Sequence, residues 1–256
     1  FVHQISGGGQ QLSRGMSRCG TIRGFTAKYG AGVSMGNGTF RMTGGAIRNC
    51  SATGGKADGG GVYVSGGSFE MSDGTISACN AANAGGGVYV ISGSFEMSGG
   101  SIEDCTAYEG AGVKVYPSSG KTASFSMTGG EIQNCNTNGV SIYAIGGTSE
   151  FSMSGGTIYD NAGERGGGVY VTPNGMFNMS GSAAITGNTG TYGGVYVDGN
   201  SVVTINDATM TLNGNGGNDF VGHGAGITAA GTSHVTVNRA KIHSVGSIRV
   251  TVVGRE

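Results

Sequence analysis

The chain has 256 residues, of which 56 are glycine, 2 proline and 5 cysteine, and only 11% are charged. Glycine at that density without one at every third position excludes collagen, and a 37% hydrophobic content recurring at fixed spacing excludes a disordered low-complexity chain. A net charge of −1 leaves no basic surplus for nucleic acid, and no apolar run approaches the roughly 18 residues of a membrane span.

Residues 1–29 read as an N-terminal cap or irregular first rung. The opening Phe1, in place of Met, reads as a processed or trimmed chain. From Gly30 a unit recurs, clearest as GGGVYVSGGSFEMSDGTISACNAANA from Gly59 and GGGVYVISGSFEMSGGSIEDCTAYE from Gly85. Its first valine falls at 33, 62, 88, 113, 140, 169 and 195, with Ile227 last, at spacings of 25 to 32 residues. A period of that size marks a solenoid, and its variation belongs in the turns. Each unit holds three alternating segments: Val62-Tyr63-Val64, then Phe69-Glu70-Met71, then Thr75-Ile76. Alternation puts the apolar members on one face of a strand, and glycine clusters between them read as tight turns. The predicted fold is all-β: a right-handed parallel β-helix of about eight rungs over residues 30–245, three short strands per rung, with residues 246–256 as a C-terminal strand or tail. In the late rungs Phe-x-Met becomes Val203-Thr204-Ile205 and then Val235-Thr236-Val237, and the third-strand isoleucine becomes Met210 and Ile242. The inward character persists while the residue types change.

Equivalent positions of stacked rungs form columns about 4.8 Å apart per step. Three residues after the third-strand isoleucine stand Cys50, Cys79, Cys105 and Cys135, continued by Asn161, Asn188 and Asn213, with Cys19 outside the series. Buried reduced thiols and disulfides between neighbouring rungs are both open readings. Metal binding is not expected, because there is no Cys-x-x-Cys spacing. The outward member of the first strand runs Ser34, Tyr63, Tyr89, Lys114, Ser141, Tyr170 and Tyr196. Tyr63, Tyr89, Tyr170 and Tyr196 are the candidate ligand platform, either stacked rings protecting the sheet or a surface for sugar rings. Glu70 and Glu96 are predicted rung neighbours, and a carboxylate pair is the equipment of glycoside hydrolysis. A solvated face is the simpler reading of that pair. The column before the third-strand isoleucine (Thr21, Ala46, Thr75, Ser101, Glu131, Thr157, Ala184, Thr209, Lys241) is too mixed for a regular ice-binding lattice.

The GGGVYV…F-x-M-x-GG-x-I…GGGVYV pattern resembles the right-handed β-helix repeats of bacterial adhesin-like surface proteins, over roughly residues 30–245. It is more loosely similar to the chlamydial polymorphic outer-membrane proteins. Gly44-Gly45-Ala46-Ile47 matches their GGA-I motif once, whereas Arg41-Met42-Thr43 follows Phe40 where their F-x-x-N motif requires Asn. The resemblance implies a secreted or cell-surface location and a binding or spacer role, with a polysaccharide or a host or cell-surface molecule as ligand. It transfers no catalytic residue and no cofactor. Pectate lyases, polygalacturonases and phage tailspikes share the broader fold, so a carbohydrate-active enzyme is the alternative.

Charge is segregated along the chain. Residues 1–57 carry seven basic side chains and no acid, residues 58–219 carry fourteen acids against three basic residues, and residues 220–256 carry four basic residues against Glu256. A basic N-terminal end formed by Arg14, Arg18, Arg23 and Lys28 is therefore expected to dock a neighbouring domain, a second protomer or an anionic polymer, or else to act as a solvated cap.

Overall fold

The computed structural model describes residues 4–5, 20–211, 226–243 and 250–253. Among these there is no helix, and every strand pairing is parallel. The chain is a parallel β-helix. Seven complete turns run from Val33 to Thr211, opening at Val33, Val62, Val88, Val113, Val140, Val169 and Val195. An eighth set of strands, Ile227–Ala230, His234–Asn238 and Lys241–His243, continues the same ladders. First-strand pairing reaches Gln4–Ile5 on one side and Val250–Val253 on the other, as one ten-stranded sheet. The second and third strands share a 15-stranded sheet, because Thr39–Arg48 and Ser68–Ser77 each run through the bend as one ten-residue strand.

Alternation sets the register. Val62, Val88 and Val113 stand over one another, as do Phe69, Phe95 and Phe125, and Ile76, Ile102 and Ile132. Six phenylalanines, from Phe40 to Phe177, form a continuous internal stack. The four steps from Phe69 to Phe177 have ring centroids 4.6–4.9 Å apart and interplanar angles of 3–11°, and the first, Phe40 to Phe69, is tilted at 5.8 Å. Offset aromatic stacks add to the energy of simple apolar burial. The late rungs keep the columns with other residues: Phe177 pairs with Val203 and then Val235, and Ile185 with Met210 and then Ile242. At the two ends, Ile22 and Phe25, and Val235 and Ile242, are only partly buried against this core.

As far as Thr189 the turns also carry a fourth short pairing that the alternation does not reveal. It runs through Thr26–Ala27, Ser51–Ala52 and Asn80–Ala81, then as single bridges through Thr106, Asn136, Ala162 and Thr189. From there the chain returns to the first strand through the glycine corner. The third glycine of that corner lies against the core: a Cβ on Gly61 would stand 2.5 Å from the Gly87 carbonyl and 2.8 Å from Ile76 Cγ2. The corner is shortest between Cys135 and Val140. There Thr137 holds the position that Gly110 and Gly166 fill one turn to either side, at φ 118 against their 56 and 58.

Candidate functional site: the tyrosine face

The predicted outer column of the first sheet is in register throughout: Ser34, Tyr63, Tyr89, Lys114, Ser141, Tyr170, Tyr196 and Thr228. It brings the four candidate tyrosines together in two pairs. Tyr63 and Tyr89 are stacked at 5.5 Å and 10°, while Tyr170 and Tyr196 lie at 5.5 Å and 50°. The column is not an open platform, however. Tyr89 is 3% exposed and Tyr196 8%, and only Tyr63 and Tyr170 are half-exposed. The glycine corners fold back along this side of the strand, so that a Cβ on Gly85 would stand 2.6 Å from the Cβ of Tyr89.

The face is more extensive than the repeat indicated. At Lys114 and Ser141, where the main column has no tyrosine, the residue two positions on supplies one: Tyr116 and Tyr143, edge to face at 4.9 Å. Six consecutive turns thus each place one tyrosine on the same side of the first sheet: 63, 89, 116, 143, 170 and 196. Tyr29 packs on Tyr63 and Tyr192 on Tyr196, extending the array at both ends. Tyr29 is exposed, and Tyr116, Tyr143 and Tyr192 are half-exposed. Burial pushes the Tyr63 phenol up to about 12, and raises Tyr89, Tyr143, Tyr170 and Tyr196 as well. The hydroxyls therefore stay protonated at neutral pH.

Charges are set into this aromatic strip. Lys28 lies over Tyr29 at 5.2 Å, Lys114 over Tyr143 at 5.3 Å and Arg165 over Tyr196 at 6.0 Å, each a cation–π contact. Lys114 is 2% exposed and donates from Nζ to Glu109 at 2.6 Å and to Ser141 Oγ at 2.9 Å. Its burial lowers the ammonium pKa, and the Glu109 carboxylate opposes that shift. Asp58 is also buried, and that burial raises its carboxyl pKa while Asn83 donates to it at 2.7 Å. Sequence reasoning placed Lys114 in this column but missed Tyr116, Tyr143 and Arg165 as members of the same face. The available signal was the alternation itself, carried one step past the Val-x-Val triplet.

The four cysteines of the corner column are buried, free thiols. Each donates weakly to the carbonyl two residues earlier, at S···O 3.3–3.5 Å, and Cys79 and Cys105 also face the isoleucine carbonyl of the preceding turn. The thiols are stacked on one another. Contact with the Cys105 thiol, ahead of burial, pushes Cys79 up to about 12, and Cys50 and Cys105 are raised by their next neighbours in the same way. Such thiols are poor nucleophiles. No group of three or more His, Cys, Asp or Glu among the described residues is arranged to hold a metal.

A shallow groove follows the outer face of the second strands, lined by Arg41, Glu70, Glu96, Ser98, Ser126 and Thr128. Glu70 and Glu96 are register partners, as expected. Arg41 grips Glu70 with Nε at 2.8 Å and Nη2 at 3.3 Å, and Glu96 is exposed. One carboxylate is thus committed to an ion pair and the other is solvated, which is not the contrasted acid–base pair of a glycosidase.

Of the expected basic end, Arg23 and Lys28 are exposed on different faces of the helix, and Arg14 and Arg18 lie outside the described residues, as do Cys19 and Asn213. No family model, curated protein or solved structure matches the chain.

Proposed function

We propose that the chain is a non-catalytic, extracellular or cell-surface module of adhesin-like character that binds polysaccharide along its tyrosine face. The observation that carries this reading is the placement of one tyrosine per turn on six consecutive turns, with Lys28 and Arg165 beside the outer rings. Half-exposed rings recurring along the strip offer a repeating polymer several contacts at low entropic cost. The buried rings Tyr89 and Tyr196 support the strip from beneath. The binding edge is supplied by Tyr29, Tyr63, Tyr116, Tyr143, Tyr170 and Tyr192.

The test is a panel of neutral and anionic polysaccharides, read by affinity electrophoresis and by assays for new reducing ends and unsaturated products. Retardation by at least one polymer is expected, weakened about tenfold when Tyr116 and Tyr143 are both changed to alanine, with no product released. Product release abolished by Glu70→Gln or Glu96→Gln would establish a carbohydrate-active enzyme instead. Retardation unaffected by the tyrosine changes would move the binding site elsewhere.

A further inference from the structure

The outer face of the third strands holds an arrangement of charge that its own turn satisfies nowhere. One column of this face runs Arg23, Arg48, Ser77, Glu103, Gln133, in register from turn to turn. The column two residues before it runs Thr21, Ala46, Thr75, Ser101, Glu131. Arg23 and Arg48 are therefore direct rung neighbours, a like-charge juxtaposition that costs stability when it stands alone. Both are exposed, and neither side chain makes an ion pair or hydrogen bond among the described residues. On the other side of Ser77, among the described residues, the Glu103 carboxylate accepts a hydrogen bond only from Gln133, and the Glu131 carboxylate only from the Tyr159 hydroxyl. Among the described residues neither glutamate side chain has a cation, and Asp104 beside them is exposed.

The charges are placed symmetrically about the neutral turn. Arg48 stands one turn before Ser77 and Glu103 one turn after it, in the same column. A two-fold axis lying in the face along the Thr75–Ser77 strand reverses the helix axis and leaves the strand direction unchanged. It therefore sets each column against its own copy in reverse order. Arg48 then meets the partner's Glu103, and Arg23 meets the partner's Gln133 with Glu131 diagonal to it. On the axis only Thr75 and Ser77 face their copies, and these are small enough for close approach. This is the self-complementarity that an isologous interface requires.

We propose that this face pairs two copies of the chain antiparallel, with the two-fold axis at Ser77 and reciprocal Arg48–Glu103 ion pairs across it. The overlap spans five turns, about 20 Å along the axis, which is small for a stable dimer. The association is therefore weak, carried by charge and sensitive to salt. It uses a different face from the tyrosine strip and is independent of the polysaccharide reading.

Sedimentation equilibrium of the 256-residue chain at low salt should show a monomer–dimer equilibrium that shifts to monomer at about 0.5 M salt. Arg48→Glu alone, or Glu103→Arg alone, should raise the dissociation constant by about tenfold or more. Mixing the two single variants should restore association as a heterodimer, because each chain then presents one sign to the other at both contacts. The double swap Arg48→Glu with Glu103→Arg should restore the homodimer. Under oxidation Ser77→Cys should cross-link to its copy and Thr157→Cys should not. A wild type that stays monomeric at low salt and high concentration overturns the proposal. So does association that the single changes leave intact, or that neither the mixture nor the swap recovers.

Discussion

The corner ladder of this β-helix is built from two materials, and the contrast between them shows what a buried corner demands. In the early turns the position is Cys50, Cys79, Cys105 and Cys135; in the later ones it is Asn161 and Asn188. The backbone around it is the same. The residue just before is left-handed in every case, Asn49, Ala78, Asp104, Asn134, Asp160 and Gly187, with φ between 49 and 66°. The acceptors are also the same. Cys79 Sγ faces the Ser77 and Ile47 carbonyls at 3.4 and 3.7 Å, and Asn161 Nδ2 donates to the equivalent Tyr159 and Ile132 carbonyls at 3.0 and 2.9 Å. The amide does more. Its Oδ1 accepts the backbone N–H of the preceding turn, Cys135 to Asn161 and Asn161 to Asn188, at 2.9 and 3.0 Å. The thiol half fills the corner as a small apolar group with a weak donor, whereas the amide half ties adjacent turns together.

That difference should appear first in stability. Asn161→Ala removes the acceptor of a buried backbone N–H and the donor to two buried carbonyls, and should cost about 3 kcal/mol. Cys105→Ala loses little more than a sulfur's packing and should cost about 1 kcal/mol. Equilibrium urea unfolding measures both, and equal losses would remove the distinction between the halves.

The second expected effect is alkaline. The folded-state pKa values of Cys50, Cys79 and Cys105 are raised above the unfolded value of about 8.5, with Cys79 up to about 12. A raised pKa contributes stability that is fully present below the unfolded value and is lost as pH climbs toward the folded one. Stability should therefore fall from about pH 8.5, before the tyrosines begin to titrate at about pH 10. A variant with alanine at all four cysteines should lose less stability than the wild type between about pH 8 and pH 9. At pH 8 a thiol reagent should leave Cys50, Cys79, Cys105 and Cys135 unmodified in the folded chain and modify all four in urea, as peptide mapping would show. Prompt native labelling at any of the four would contradict their burial.

The smallest effect is the most direct exchange. Cys135→Asn carries the amide ladder one turn earlier, where the Gln133 and Ile102 carbonyls stand in the equivalent places. A gain of about 1 kcal/mol is expected in the same unfolding experiment. A loss of that size would mean the thiol half is packed for sulfur's volume and not for hydrogen bonding.

The columns themselves were legible because a two-residue period and a recurring unit of 25 to 32 residues leave little freedom of register. Phe69 had to stand under Phe95, and Cys79 under Cys105, once the repeat was aligned. The fourth short pairing was not legible. Pairs such as Ser51–Ala52 and Asn80–Ala81 are too short to show alternation, and their partners are chosen by the corner that precedes them. The tyrosine face was half legible. Tyr63 and Tyr89 announced themselves in the repeat, but Tyr116 and Tyr143 lie outside the Val-x-Val triplet and joined the face only when the neighbouring turns were in place.

By itself, then, the order of residues determined which side chains stack on which, because stacking follows from periodicity and each turn repeats the one before. Exposure was decided only by the tertiary structure. Tyr89 is an outward residue of its strand and is nevertheless 3% exposed, because the glycine corner closes over it. Lys114, outward by the same alternation, is buried, held by the partly exposed Glu109 and by Ser141. Alternation assigns a side of the sheet. Whether that side meets water depends on how far the connecting corner travels before it turns back, and that path is set by contacts between turns.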